Sequence, residues 1–364
     1  SSLYFFHLRG NQRTSGERSR QEGGKIFGGG SRAPIVIAVL VKNPNAKQHG
    51  QIYYHDIGDY LTREEKLEKI SDLGSIDGIT AFDGWMKIEP DAHNDWLNQR
   101  DNSFNVHFLL GDKKTKKGLF VEFSSGVGTN RDAWCYNFSK SLLKSKMKAM
   151  KDFYNNELKK IVDNRIDIDN LSNELNFDPQ KIGWSADLIK SISKQKKATF
   201  NEKALRNSIY RPYTKLNLYF DSFVNWSQYL MPKFFPEPNT KNLIISITGL
   251  GGKKGFSTLI SNMVIDRNSM EAGAQCFPLY IYEENNDADL FIQTKTNTVD
   301  EKYTRKDAIS NDGLKHFQDA YPTEKISKED IFYYVYGLLH SEDYRSRYAD
   351  NLTKELPRIP CVKK

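Results

Sequence analysis

Two short apolar runs, Leu3–Leu8 (LYFFHL) and Ile35–Val41 (IVIAVLV), bracket a polar stretch of about 26 residues, RGNQRTSGERSRQEGGKIFGGGSRAP. Both runs are rich in aromatic and β-branched residues and too short for buried helices, so they read as buried strands. The stretch between them carries Arg9, Arg13, Arg18, Arg20, Lys25 and Arg32 against Glu17 and Glu22. A connection that long inside a compact domain is usually functional or disordered. The opening Ser-Ser-Leu-Tyr-Phe-Phe drops straight into the first strand with no leading Met, which reads as a chain cut from something longer.

Further along, Gln51–Ile57 reads as a strand and about 62–72 as a charged helix, with Thr62 and Glu65 in capping positions. Strands are expected around 104–110 and 118–123. A helix is expected over about 138–162, with Leu142, Leu143, Met147, Met150, Phe153 and Tyr154 on its apolar face. Lysines 140, 144, 146, 148, 151, 159 and 160 fill the rest, a pattern that usually marks a solvated face. Residues 163–203 read as a polar, helical spacer. A second unit from about 204 holds the aromatic segment IYRPYTKLNLYFDSF, a strand at 242–248, the loop GLGGKKG and an aromatic strand ending CFPLYIYEE. The stretch 284–325 reads as irregular. Ser327 and Asp330 open a helix over 328–340, and a second helix runs to Leu356, stopped by Pro357.

At 364 residues, with 38% hydrophobic and 12% aromatic content, the chain can bury real cores in about two domains. The net charge of +7 and pI near 9.0 suit a nucleic-acid partner and equally an ordinary basic protein. Cys135, Cys276 and Cys361 are far apart and odd in number, which argues against a disulfide framework and for a reducing, cytoplasmic setting. No metal site is expected, since His49 and His55 stand alone at a spacing chance supplies. The longest apolar run is far too short to span a bilayer, so no membrane partner is expected.

The catalytic motifs fail on mechanism. Gly28-x-Gly30-x-x-Ala33 matches a dinucleotide fingerprint, but a strand follows instead of the helix whose N-terminus must face the phosphates. Gly249–Gly255 has the wrong spacing for a P-loop and no Ser or Thr after its lysines. It reads as a hairpin loop presenting Lys253 and Lys254, which suit phosphate or plain solvent alike. There is no Gly-x-Ser-x-Gly elbow, no nuclease pattern and no Asn-Pro-Pro-Tyr, since Asn43-Pro44 is followed by Asn45. No catalytic residue is therefore expected, and the chain reads as a partner of chemistry done elsewhere.

The positive signal is basic residues interleaved with amides and aromatics. Arg9, Asn11, Gln12 and Arg13 leave the end of a strand, and Arg206, Arg211, Tyr213, Lys215, Asn217 and Tyr219 repeat the theme. Arginine pairs bidentately with guanine and Asn or Gln with adenine, while lysines supply position and salt-dependent affinity. Tyr210, Tyr213, Tyr219 and Phe220 are equally good core residues. The expected DNA contacts are Arg9, Asn11, Arg13, Arg32, Arg211, Tyr213, Lys253 and Lys254.

LRGNQRTSGERSRQEGGKIFGGGSRAPIVIAVLVKNP resembles the late methyltransferase segment of type ISP restriction–modification enzymes. IYRPY, YLMPKFFP, QCFPLYIYE and ISKEDIFYYVYGLLHSEDYRSRYADNLTKELPRIP resemble the C-terminal specificity domain of that family. The resemblance runs from about Leu3 to Pro360. It implies an Mrr-like nuclease, a helicase-type ATPase and an S-adenosylmethionine-dependent N6-adenine methyltransferase preceding a target recognition domain. This chain lacks the nuclease, the ATPase and both methyltransferase motifs, so S-adenosylmethionine, ATP and magnesium would belong to the upstream domains.

The fold class expected is mixed α/β. Residues 1–60 would close a Rossmann-like methyltransferase sheet, 61–200 would form a partly helical connection, and 201–364 an α+β target recognition domain. Duplex DNA and the upstream domains are the implied partners, with the Gly-rich loop near a flipped base. Two rival expectations are a subunit of a split methyltransferase and an inert truncation product with apolar surface along its strands. An RNA-binding module finds no single-strand platform motif to support it.

Overall fold

The apolar runs pair with each other. In the computed structural model, which describes residues 1–167, 170–285 and 302–362, β1 (Ser2–Arg9) and β2 (Ile35–Val41) lie antiparallel from Ser2↔Val41 to Arg9↔Ile35, with a bulge between His7 and Arg9. β3 (Gln51–Asp56) runs parallel to β1 on its other side, and β4 (Met86–Ile88) is antiparallel to β3. The order is β2-β1-β3-β4. A short α1 (Gly16–Glu22) lies within the long connection, and α2 (Arg63–Leu73) and α3 (Ile76–Ala81) follow β3. These elements belong to one compact unit, Ser1–Arg100; a second spans Asp101–Lys364.

Phe6, Leu8, Ile26, Ile57 and Ile79 form the core of the first unit, with Ile70, Leu73 and Trp85 packed against it. β2 departs from the expected buried strand: Val36, Ile37, Val39 and Val41 are exposed and Leu40 is 71% exposed. The reason is its place at the sheet edge, with one paired neighbour and an open side. Thr62 caps α2 in a reciprocal box with Glu65, as the sequence requires.

In the second unit, β5 (Phe108–Leu109), β6 (Ser124–Ser125), α4 (Asp132–Cys135) and β7 (Tyr136–Asn137) lead into α5 (Lys140–Asp163). Then come α6 (Leu171–Glu174), α7 (Ala186–Ser193), β8 (Leu205–Arg211), β9 (Thr214–Tyr219), α8 (Met231–Phe234), β10 (Ile244–Ile247), β11 (Thr258–Ser261) and β12 (Val264–Ile265). The chain continues through β13 (Gln275–Pro278), β14 (Tyr280–Glu284), β15 (Tyr303–Asp307), α9 (Asn311–Ala320), α10 (Lys328–His340), α11 (Glu342–Arg347), α12 (Ala349–Lys354) and β16 (Arg358–Ile359). Two small four-stranded sheets, β11-β10-β13-β6 and β12-β8-β9-β7, sit with the pairs β14-β15 and β16-β5 around one hydrophobic core. The architecture is mixed α/β with several small sheets.

Several local expectations change. Residues 118–123 form no strand beyond an isolated bridge between Phe120 and Ile309, and 102–106 is a 3-10 turn ahead of a two-residue β5. CFPLYIYEE divides into β13 and β14, which join different sheets. Of the stretch read as irregular, residues 286–301 lie outside the described residues, while 303–307 form β15 and 311–320 form α9. On α5, Leu142 is exposed and Lys151 is buried. Lys151 is drawn in by Asp221 (2.7 Å), the Tyr219 hydroxyl (3.1 Å) and the Thr199 carbonyl (2.7 Å), partners that a periodicity argument cannot see. No helix among the described residues is long and apolar enough to cross a membrane.

Candidate nucleic-acid interface

The long connection between β1 and β2 is folded, and a buried lysine holds it. Lys66 on α2 is fully buried and donates to the carbonyls of Glu22 (2.7 Å) and Gly24 (2.8 Å). Arg63 donates to the Ile26 carbonyl, and the Gly24 N–H to the Leu61 carbonyl. Gly23, at φ 66°, passes so close to Leu61 that a side chain would collide with its carbonyl. Burial lowers the Lys66 pKa from its ordinary value, with the neighbouring Glu22 charge opposing that shift. Nothing in the charged pattern TREEKLEKISD distinguishes Lys66 from its solvated neighbours.

This scaffold gathers three of the four expected contacts in the first unit. Asn11 Oδ1 accepts from the Arg13 N–H (3.0 Å), and Arg32 Nη2 donates to the Gln12 carbonyl (2.8 Å), while the Gln12 N–H returns a bond to the Arg32 carbonyl. Arg13 and Arg32 are exposed. Arg9 is separated from them by direction. At φ 55°, its guanidinium donates through Nε to Asp56 Oδ1 (2.6 Å) and pairs through Nη1 with Asp59. His7 and the Tyr54 hydroxyl also approach Asp56 Oδ2, both at 3.1 Å. Burial works against the Asp56 charge, yet Arg9, the Gly58 N–H and His7 hold its carboxyl below its ordinary value.

In the second unit, Arg211 also faces inward. Its Nη1 donates to Asp266 Oδ1 (2.8 Å) and the Tyr210 carbonyl (2.6 Å), and its Nη2 reaches Asp132 at 3.5 Å. Asp266 is 1% exposed and accepts further bonds from the Tyr136 hydroxyl (2.9 Å) and the Asn268 N–H (2.7 Å). Burial pushes its carboxyl up, against those donors and Arg211. Two residues on, the β8–β9 turn places Pro212 and Tyr213 between the paired Arg211 and Thr214. Tyr213 sits at φ 62° and is 89% exposed, whereas Tyr219 and Phe220 are core and Tyr210 is half-buried. A positive φ after a turn proline favours Gly or Asn, so a solvent-facing tyrosine there is a local cost without a packing return.

Lys253 and Lys254 are exposed in the connection between the antiparallel β10 and β11, the hairpin that the sequence suggests. The Gly251 N–H donates to the Thr353 carbonyl and the Lys254 N–H to Glu271 (2.7 Å), which fixes the loop. Of the α5 lysines, Lys144 pairs with Glu202 and Lys159 with Asp163. Lys146 donates to the Ala133 carbonyl, and Lys160 to that of Glu174. Among the described residues no group of three or more His, Cys, Asp or Glu is placed to hold a metal ion.

The Type ISP C-terminal specificity domain model matches residues 118–364. The nuclease-deletion mutant of the Type ISP restriction–modification enzyme LlaGI, solved in complex with a DNA substrate mimic, is 38% identical, with a TM-score of 0.77 over 100% of this chain and 31% of that one. The ATP-dependent Type ISP restriction–modification enzyme LlaBIII, bound to DNA, is 32% identical, with a TM-score of 0.80 over 100% of this chain and 22% of that one. The DrdV–DNA complex is 30% identical, with a TM-score of 0.78 over 100% of this chain and 33% of that one. No curated protein matches the chain. The chain thus spans between about a fifth and a third of these relatives. With its sheets, its closing helices and the specificity model in register over 118–364, it belongs to the Type ISP restriction–modification family.

Proposed function

We propose that this chain reads duplex DNA for a Type ISP restriction–modification enzyme and presents a target adenine to a catalytic half that lies outside it. The observation that carries the reading is the specificity-domain match over 118–364, joined to full-length similarity with three structures solved with DNA or a mimic of it. The anchored loop supports it: Arg13 and Arg32 are held at the surface of a folded segment with their backbones fixed, which lowers the ordering cost of binding.

Residues 1–60 would close a Rossmann-like methyltransferase sheet, 61–200 connect, and 201–364 form the recognition portion. The open side of β2, with its exposed Val36, Leu40 and neighbours, is where preceding strands of such a sheet would add. The Gly28–Gly30 loop offers S-adenosylmethionine no cradle. A side chain at Gly28 or Gly29 would meet nothing within 4 Å, and β2 follows in place of a phosphate-facing helix. The cofactor, and ATP with magnesium, belong in this reading to the upstream domains, where recognition would license cleavage. The cytoplasm is the setting such an enzyme requires.

Among the expected contacts, Asn11, Arg13, Arg32, Tyr213, Lys253 and Lys254 would touch DNA. Arg9 and Arg211 would hold the segments that carry the others. The test is selection of a randomised duplex pool on the purified chain near physiological salt. Enrichment of one asymmetric motif is the expected result; weak, steeply salt-dependent binding without enrichment would leave only the electrostatic part and sink autonomous readout.

A further inference from the structure

A second basic feature stands apart from every residue considered so far. A cavity of roughly 390 Å³ in the second unit is lined by Arg131, Asp187, Lys190, Lys194, Lys196 and Trp226, among others. Arg131 is 8% exposed. Its backbone is fixed at the start of α4, where its N–H donates to Thr129 Oγ1 and its carbonyl accepts from the Trp134 and Cys135 N–H groups. Its Nη2 donates to Ser185 Oγ, the hydroxyl that also caps α7 by accepting from the Leu188 N–H. Among the described residues, Nε and Nη1 find no acceptor.

A guanidinium cannot shed its charge, and burying its donors unpaired is unfavourable unless an acceptor completes them. Burial lowers the Arg131 pKa from its ordinary value, and Asp187 opposes that only in part. The wall of the cavity adds charge of the same sign: four cations against the single carboxylate of Asp187, an excess of three. Three of those cations come from one short stretch, Lys190 at the end of α7 and Lys194 and Lys196 just beyond it, where the helix C-terminus favours cations but cannot neutralise three. A cavity lined by a buried arginine together with three lysines calls for an oxyanion that carries several acceptor oxygens and more than one charge.

We propose that this cavity is a phosphate-binding site, with Arg131 as a buried charge in its wall and Lys190, Lys194 and Lys196 as its outer charges. The phosphate could be one of a DNA backbone or that of a free nucleotide; the chemistry is the same. The assignment rests on the cavity alone and stands whether or not the loops bind DNA.

Trp226 lines the cavity and reports on it. The full chain is titrated with pyrophosphate at constant ionic strength, with chloride as the control, while tryptophan fluorescence is followed. A saturable change is expected that Trp226→Phe removes and that Lys190→Gln with Lys194→Gln weakens by about tenfold, the scale of a lost charge-assisted contact. Because Arg131→Gln could fail to fold, the two exposed lysines carry the test. A chloride response equal to that of pyrophosphate, or a double variant that titrates like the parent, overturns the site. A 20-base-pair duplex then separates the sources. Displacement of pyrophosphate by duplex assigns the site to the DNA backbone. Duplex binding without displacement assigns it to a free phosphate compound. Pyrophosphate binding with no duplex binding at all keeps the site and removes the DNA reading instead.

Discussion

Arg211 Nη1 lies 2.8 Å from Asp266 Oδ1, so an arginine that the sequence offers as a DNA contact is spent on a buried carboxylate. Removing it leaves Asp266 with two neutral donors and no cation. Breaking a buried pair costs about 3–5 kcal/mol, and the partial exposure of Arg211 reduces that to roughly 2 kcal/mol. Arg211→Ala should therefore lower the unfolding free energy from urea melts by that amount. Unchanged stability, with about 1–3 kcal/mol lost only between cognate and non-cognate DNA, would return Arg211 to base readout.

Tyr213 is expected to separate stability from binding. Tyr213→Gly removes the left-handed strain of roughly 1–2 kcal/mol and gives back part of it as chain entropy, so the urea midpoint should rise slightly. The same change removes the exposed ring, and affinity for DNA should fall if that ring stacks on a base, by about 1–3 kcal/mol. Stability and affinity moving together would mean that Tyr213 serves the fold.

Lys66→Met keeps the apolar stem and deletes the ammonium that holds the Glu22 and Gly24 carbonyls. The Gly24 carbonyl loses this donor and the Glu22 carbonyl keeps only the Gly10 N–H, a cost of about 1–3 kcal/mol before relaxation. Limited proteolysis should then cut within residues 10–34 faster than in the parent protein. Equal cleavage rates would show that Arg63 and the Gly24–Leu61 bond suffice.

Arg13 and Arg32 share a folded loop but need not share a role. Arg13→Ala should cost roughly 1–3 kcal/mol of discrimination if it meets a base edge. An equal loss on every sequence, with a shallower salt dependence, would make it a phosphate contact.

The Asp56 cluster gives a pH dependence. Its folded carboxyl titrates below the ordinary value of 3.8, so its contribution is complete above that value and fades as pH falls through the lower, folded one. Urea melts of the parent should weaken below about pH 4 more steeply than those of Asp56→Asn. Parallel curves would show that Asp56 contributes nothing through its charge.

Local chemistry wrote much of this fold. The capping boxes at Thr62 and Ser327, the β1 and β2 runs and the hairpin loop at 249–257 were legible because each depends on residues a few positions apart. The family was legible in long strings such as ISKEDIFYYVYGLLHSEDYR, whose order reflects one packing solution. Only tertiary structure decided which basic side chains face outward. In the sequence Arg9 and Arg211 look like outward DNA contacts, Lys66 and Lys151 like solvated charge, and nothing marks Arg131. Each is turned inward by a carboxylate, carbonyl or hydroxyl between 42 and 70 positions away. The pairing of a long flexible cation with a buried acceptor depends on where the chain returns in space, and no local period records that distance.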